Sequence, residues 1–134
     1  MQKITIKTIP DTHQRYNTVG DYYRDENGDQ IFLVSDMNNW KYEFLVALHE
    51  LVESALCHDR GITDQMIDEF DFAFEKCRES GEGESEPGNQ PDAPYFKEHK
   101  FATQIEQMMA KELNVEWNQY LEVCNKLDKN QEVL

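Results

Sequence analysis

The chain has 134 residues, of which 39% are hydrophobic and 11% aromatic, which is enough for one compact domain with a core and too few for two. Its 27 Asp and Glu against 13 Lys and Arg give a formal net charge of −14. This charge excludes nucleic-acid binding by a basic patch and disfavours anionic lipid surfaces. We expect a single domain over residues 1–134.

The cysteines indicate a reducing compartment. Cys57, Cys77 and Cys124 are odd in number, far apart and in no CxxC pair, so neither a disulfide framework nor a structural zinc knuckle is expected. No basic and apolar signal pattern opens the chain, and no stretch approaches 18 uninterrupted apolar residues. We therefore expect a cytoplasmic protein with no membrane partner.

Residues 1–35 carry the patterns of β-strands. Lys3–Ile9 alternates polar and apolar residues with period two, as a half-buried strand does. Tyr16–Tyr23 and Gln30–Val34 flank a turn in which Asn27-Gly28 can supply positive φ. The sequence predicts a small antiparallel sheet made of a hairpin plus one strand.

Residues 39–127 are predicted to form three to four packed helices. The first helix contains the apolar run Trp40–Cys57, which covers more than one face. Ser35-Asp36 or Asn38-Asn39 can cap its start, and Gly61 can end it. The fold class expected is therefore α+β.

Three further helices are expected after this one. The second begins at Thr63 and has apolar residues at helical spacing: Met66, Ile67, Phe70, Phe74 and Cys77. An acidic loop rich in Gly and Pro follows at 80–94. The third helix, about 95–113, is predicted to turn one set of residues inward: Phe101, Ile105, Met108, Met109 and Leu113. Asn114 separates it from the fourth, and residues 128–134 are expected to form a frayed tail.

One motif in the first helix places chemical groups together. His49-Glu50-Leu51-Val52-Glu53 stacks His49 and Glu53 at i and i+4, while Glu50 points about 100° away. The string resembles the HExxH helix of zincin metallopeptidases, with Glu53 in place of the second histidine. The resemblance implies that His49 and Glu53 are metal ligands and that Glu50 is the base that activates water. A carboxylate ligand favours manganese or iron as well as zinc.

The motif lacks a third ligand, for which His99 is our first choice. His99 starts the third helix directly after the loop and shares a face with Thr103 and Glu106. His58 is the competitor, but it lies about two and a half turns beyond His49. The plainer interpretations are that His49 is a buried histidine bonded to a carboxylate and that His99 lies on the surface.

A second carboxylate pattern supports an alternative. Glu50-x-x-Glu53 followed by Asp68-x-x-Asp71 resembles the ExxE…ExxD pattern of the MazG type of all-α NTP pyrophosphohydrolases. That resemblance implies magnesium held between facing helices. The departures are Asp68 where the family has Glu, the N-terminal β segment, and the lack of a nearby Lys or Arg cluster. A solvated acidic helix face is the plainer interpretation of Asp68 and Asp71.

The leading hypothesis is a metal-binding protein, a metal-dependent hydrolase in which His49, Glu53 and His99 are ligands and Glu50 is the base. The MazG-like nucleotide enzyme is the first alternative. The second is a non-catalytic acidic protein of phage or mobile-element type that docks on a basic protein partner. The nearly all-round apolar first helix also makes a homodimer reasonable.

Overall fold

A computed structural model describes residues 2–79 and 86–133, with the side chains of residues 78, 79 and 128–133 excepted. In chain order the strands and helices are β1 (Ile4–Ile9), β2 (Gly20–Arg24), β3 (Gln30–Ser35), α1 (Trp40–Asp59), α2 (Asp64–Glu79), α3 (Phe96–Glu112) and α4 (Trp117–Val133). Short 3-10 helices lie at Asp11–His13 and Pro87–Asn89. The expected α+β fold, a three-stranded sheet followed by helices, is confirmed.

The sheet is mixed, so the prediction of an antiparallel sheet is wrong for one of its three strands. β2 and β3 form the expected antiparallel hairpin, but β1 pairs with β3 in parallel and the strand order is β1-β3-β2. Ile9 pairs with Ser35 and Gly20 with Val34, so the connection 10–19 crosses the end of β3. Periodicity identifies a strand, whereas the direction of its neighbour depends on where this connection leads.

β1 is less buried than its alternating pattern predicts. Ile4 and Ile6 are 60% and 49% exposed. The reason is that α1 packs against β2 and β3, so the helical layer covers only part of the sheet.

The sequence signals for helix ends are confirmed at three positions. Asn39, one of the two proposed caps, accepts hydrogen bonds from the backbone N–H groups of Lys41 and Tyr42. Gly61, at φ 72°, ends the first helix with its N–H bonded to the carbonyl of His58. Asn114 has φ 56° and separates α3 from α4.

Two polar contacts fix α1 antiparallel to α3. At one end Arg60 pairs with the buried carboxylate of Glu98 at 2.7 Å. At the other end the ammonium of Lys41 donates to the carbonyl of Leu113 at 2.8 Å. The helices therefore meet along their length, with the middle of α1 opposite the middle of α3.

The apolar core consists of two clusters, with the His49–Glu53 turn between them on α1. Leu45 and Val46 belong to a cluster with β3, α3 and α4, whereas Cys57 belongs to a cluster with Tyr22, Phe32, Ile67, Ala93 and Tyr95. His49 and Glu53 lie between these positions and are both buried. Polar residues thus occupy the centre of the helix that joins the two clusters.

The predicted inward face of α3 is wrong in part. Phe101 and Met108 are 47% and 66% exposed, while Met109 and Leu113 pack partly buried against the first cluster. The residues that α3 buries are Glu98, His99, Ala102, Glu106 and Ala110. Apolar periodicity fails here because the buried face of α3 carries the polar partners of α1.

The expected loop at 80–94 lies partly outside the described residues, at 80–85. From residue 86 onward the chain forms the turn Pro87–Asn89 and continues to α3. The backbone of α4 stays helical to Val133, through most of the expected tail at 128–134, and Leu134 is outside the described part. In that described part, no helix has the length and apolar character needed to span a membrane.

Candidate metal centre

Three buried donor atoms from two helices converge at the centre of the domain. His49 Nε2 lies 3.1 Å from Glu53 Oε2 and 3.1 Å from His99 Nδ1, and the third separation, His99 Nδ1 to Glu53 Oε2, is 2.8 Å. Donors around a tetrahedral ion with bonds of about 2.0–2.2 Å are roughly 3.3 Å apart. The His-Glu-His group could therefore hold a metal ion with little adjustment.

The local sequence explains how the three side chains meet. His49 and Glu53 are one helical turn apart on α1 and so project from the same face. His99 lies in the first turns of α3, where the antiparallel packing brings it to the same level. The structure thus brings together all three predicted ligands.

Glu106 orients the ring of His49. Its Oε1 lies 2.7 Å from His49 Nδ1, and since a carboxylate only accepts, we assign a proton to this nitrogen. Nε2 then points toward Glu53 and His99. A carboxylate on the outer nitrogen of a ligand histidine is the usual support for metal-binding imidazoles.

Tyrosines from β2 and α4 satisfy the remaining carboxylate oxygens. Tyr22 donates its hydroxyl hydrogen to Glu53 Oε1 at 2.8 Å. Tyr120 donates to Glu106 Oε2 at 2.5 Å. Both carboxylates are therefore held in place by the sheet and the last helix as well as by the histidines.

The turn Pro87–Asn89 fixes His99 from the other side. A Cβ atom on Gly88 would lie 2.5 Å from Cγ and Nδ1 of the His99 ring, which is closer than packed atoms come. Only glycine allows the backbone this approach without moving the imidazole. Glu86 Oε2 lies 3.7 Å from the outer nitrogen of His99.

The charges in this cluster hold each other in their ionised forms. Burial lowers the pKa of His49, but the hydrogen bonds to Glu106 and Glu53 outweigh it and raise the pKa well above 6.5. Burial raises the pKa of Glu53, but bonds from His49 and His99 outweigh it and lower the pKa to about 2. His49 Nε2 faces a carboxylate oxygen, so a cation must lie between them, either a proton or a metal ion.

Glu50 lies beside the three donors and faces open space. It is half-buried and lines two cavities, one of about 40 Å³ and one of about 480 Å³. Burial, the neighbouring charge of Glu53 and the charges of Asp21 and Glu86 raise the pKa of Glu50 well above its usual 4.5, against the lowering effect of His49.

His58, the competing third ligand, lies outside this group. Its side chain is exposed and its Nδ1 lies 3.0 Å from a guanidinium nitrogen of Arg24. Because α1 continues straight to Asp59, His58 stays two and a half turns from His49.

The two aspartates of the alternative pattern separate from each other. Asp68 pairs with Arg15 at 3.1 Å near the surface. Asp71 is buried, accepts a hydrogen bond from Tyr16 at 3.0 Å and another from Tyr95, and lines the smaller cavity with Glu50 and Glu53. The expectation of a solvated face is therefore wrong for Asp71, and the four carboxylates do not converge on one point.

Sequence reasoning missed the residues that support the ligands. The sequence marks Glu106 only as a residue two turns after His99 on the same face of α3. Tyr22, Tyr120 and Gly88 have no local pattern that marks them. Their roles depend on the packing of β2, α4 and the turn Pro87–Asn89 against the α1–α3 pair.

The chain matches no protein-family model, no curated protein and no solved structure.

Asp71→Asn tests the buried carboxylate opposite the metal centre. Burial raises the pKa of Asp71 to about 7. The folded protein thus binds this proton more tightly than the unfolded chain, and stability is lost as pH rises from about 4 to 7. We expect the Asn variant to gain roughly 2 kcal/mol relative to wild type between pH 5 and pH 8, measured by urea unfolding with a chelator present. A difference in unfolding free energy that does not change with pH would contradict this assignment.

Proposed function

We propose that the protein is a metal-dependent hydrolase in which His49, Glu53 and His99 hold a divalent ion. One observation carries the proposal: three buried donor atoms on two helices lie 2.8–3.1 Å apart, with the outer nitrogen of His49 bonded to Glu106. A histidine buried only for packing would be satisfied by one carboxylate, but His49 contacts Glu53, Glu106 and the imidazole of His99. A metal-ligand histidine whose other ring nitrogen is bonded to a carboxylate has the same set of contacts.

The donor set favours a transition ion over magnesium. Two imidazoles and one carboxylate are the protein ligands of many catalytic zinc sites, which leave further positions open. Manganese and iron accept the same donors, whereas magnesium prefers oxygen ligands and keeps several waters. We therefore propose zinc as the first ion to test, with manganese and iron as alternatives.

Glu50 is the proposed base. It follows His49 directly in the sequence, lines the larger cavity together with His49 and His99, and is half-buried rather than packed away. Its carboxylate can therefore accept a proton from a water molecule in that cavity. When bound, the ion supplies Lewis-acid chemistry toward a substrate oxygen.

The nucleotide alternative has less support. Asp68 forms a salt bridge with Arg15, and Asp71 accepts hydrogen bonds from two tyrosines. The carboxylate of Glu53 is bonded to histidines, which are ligands that magnesium seldom takes.

The first test compares the metal content of wild type with that of His49→Ala. Tag-free protein is loaded with zinc, desalted and analysed for bound metal. We expect about one zinc per wild-type chain and less than a tenth of that in the variant, because a tenfold loss needs only about 1.4 kcal/mol. His58→Ala is the matched control, since it removes an exposed histidine from the same helix, and it should bind zinc like wild type.

A second measurement guards against a variant that does not fold. Zinc added to wild type should raise the thermal midpoint of unfolding, since a ligand that binds the folded state stabilises it. A wild-type protein that binds no zinc, manganese or iron and shows no shift would overturn the proposal and favour the non-catalytic binding protein.

Glu106→Gln tests the support of His49. The variant keeps an oxygen acceptor for His49 Nδ1 but loses the charge, so we expect zinc affinity to fall about 10-fold to 100-fold. Competition with a chromophoric chelator measures this. Glu112→Gln removes the same charge from an exposed position on the same helix and should change zinc affinity by less than about twofold. Equal effects of the two substitutions would show that only the net charge matters.

Glu50→Gln tests the proposed base. Because Glu50 is not among the three donors, the variant should keep zinc while losing about 100-fold or more of the hydrolysis rate. The assay uses zinc-loaded protein on a panel of amide and ester substrates, compared with wild type at equal metal content. A variant that hydrolyses the substrates as fast as wild type would show that Glu50 is not the base.

A further inference from the structure

The larger cavity is a cleft that opens directly on the metal centre. It has a volume of about 480 Å³ and lies between α1, α3 and α4. His49, Glu50 and His99 line it, so a molecule in the cleft meets the two histidine donors and the proposed base, while Glu53 lies behind them and lines the smaller cavity. Its size is within the range of about 300–1,000 Å³ that small-ligand sites occupy.

The cleft is lined by acidic side chains and not by Lys or Arg in the described residues. These acidic side chains are Glu50, Glu86 and Glu106. Glu53 adds a fourth carboxylate at the metal centre. A divalent ion carries two positive charges, so the three carboxylates of Glu53, Glu86 and Glu106 already leave the site net negative with the ion bound, whether or not Glu50 carries a proton.

The carboxylates differ in how far they are already paired. Glu106 is hydrogen-bonded to both His49 and Tyr120. Glu86 Oε2 lies 3.7 Å from His99 Nε2, and 44% of the Glu86 side chain is exposed. Glu50 lines the same cleft directly after His49 in the sequence. Among the described residues that line the cleft, neither Lys nor Arg is available to pair with Glu50 or Glu86.

Aromatic rings form the wall on the α4 side. Trp117 and Tyr120 line the cleft with their ring centroids 5.4 Å apart and their planes tilted by 58°. The faces of such rings attract ammonium and guanidinium groups and also cover the apolar stem that carries them.

From this combination we infer that the cleft binds a ligand with a positively charged ammonium or guanidinium group, held by Glu86 and Glu50 against the ring of Trp117. The inference rests on the proposed function, because it names the substrate class of the same site. Substrates whose recognised group is a phosphate are disfavoured, since the cleft is rich in carboxylates and its described lining offers neither Lys nor Arg to bind a phosphate. A substrate with a basic side chain or a free amine meets both features of the cleft.

The test uses two probes of nearly equal shape and different charge. Nα-acetyl-arginine amide carries a guanidinium group, and Nα-acetyl-citrulline amide replaces it with a neutral urea. Zinc-loaded, ¹⁵N-labelled protein is titrated with each probe, and dissociation constants are taken from the chemical shifts of residues in the cleft. We expect the arginine probe to bind about tenfold more tightly than the citrulline probe, as a partly desolvated charge pair and a cation–π contact predict.

Two variants with the same charge change locate the effect. Glu86→Gln removes a carboxylate from the cleft and should reduce the preference for the arginine probe about threefold or more. Glu122→Gln removes a carboxylate from the exposed surface of α4, outside the cleft, and should leave the preference unchanged.

The outcomes separate this inference from the metal proposal because zinc is measured on the same samples. Bound zinc with equal affinity for the two probes, or with no binding of either, overturns the inference and leaves the metal site standing. An equal loss of preference in Glu122→Gln and Glu86→Gln also overturns it, because the overall charge would then be the cause. A preserved preference in protein that binds no zinc supports the cationic cleft and overturns the proposed function.

Discussion

A buried cluster of four ionisable side chains holds α1 against α3. His49 and Glu53 come from α1, while His99 and Glu106 come from α3, and their contacts are 2.7–3.1 Å long. Removing such groups from water costs several kcal/mol for each charge, and only close opposite charges and hydrogen bonds offset that cost. Each member of the cluster therefore requires the others, which makes the relative position of the two helices a condition for the whole site.

The rest of the fold supplies what this cluster lacks. Tyr22 on β2 and Tyr120 on α4 donate to the carboxylate oxygens that the histidines do not reach. Arg60 and Lys41 fix the two ends of the helix pair. Because polar groups occupy the contact between α1 and α3, the apolar core is split into two clusters on either side of it.

A protein with this small a core loses stability by placing polar groups at its centre. Two apolar helices of similar volume would pack without desolvation cost. His49 Nε2, His99 Nδ1 and Glu53 Oε2 instead lie 2.8–3.1 Å from one another, an arrangement that needs a proton or a metal ion between them. The cleft beside them is lined by carboxylates and aromatic rings, so the proposed metal ion and the proposed cationic ligand would be favoured by the same negative field.

The local features of this protein follow from short stretches of sequence. Alternation predicted the first strand, and the turn at Asn27-Gly28 predicted the hairpin. The signals of Asn39, Gly61 and Asn114 placed the helix ends within a residue or two, because caps and positive-φ positions are properties of a few neighbouring residues. Helical spacing also placed His49 and Glu53 on one face.

The remaining features depend on how distant segments pack together. The parallel pairing of β1 with β3, the exposure of Phe101 and Met108, and the roles of Glu106, Tyr22 and Gly88 all depend on contacts between segments far apart in the chain. His99 was singled out from its position at the start of a helix, but its meeting with His49 follows from the antiparallel packing of α1 and α3. Periodicity measures which residues share a face; it carries no information on which face a neighbouring element covers, and here polar pairing outweighed apolar pattern.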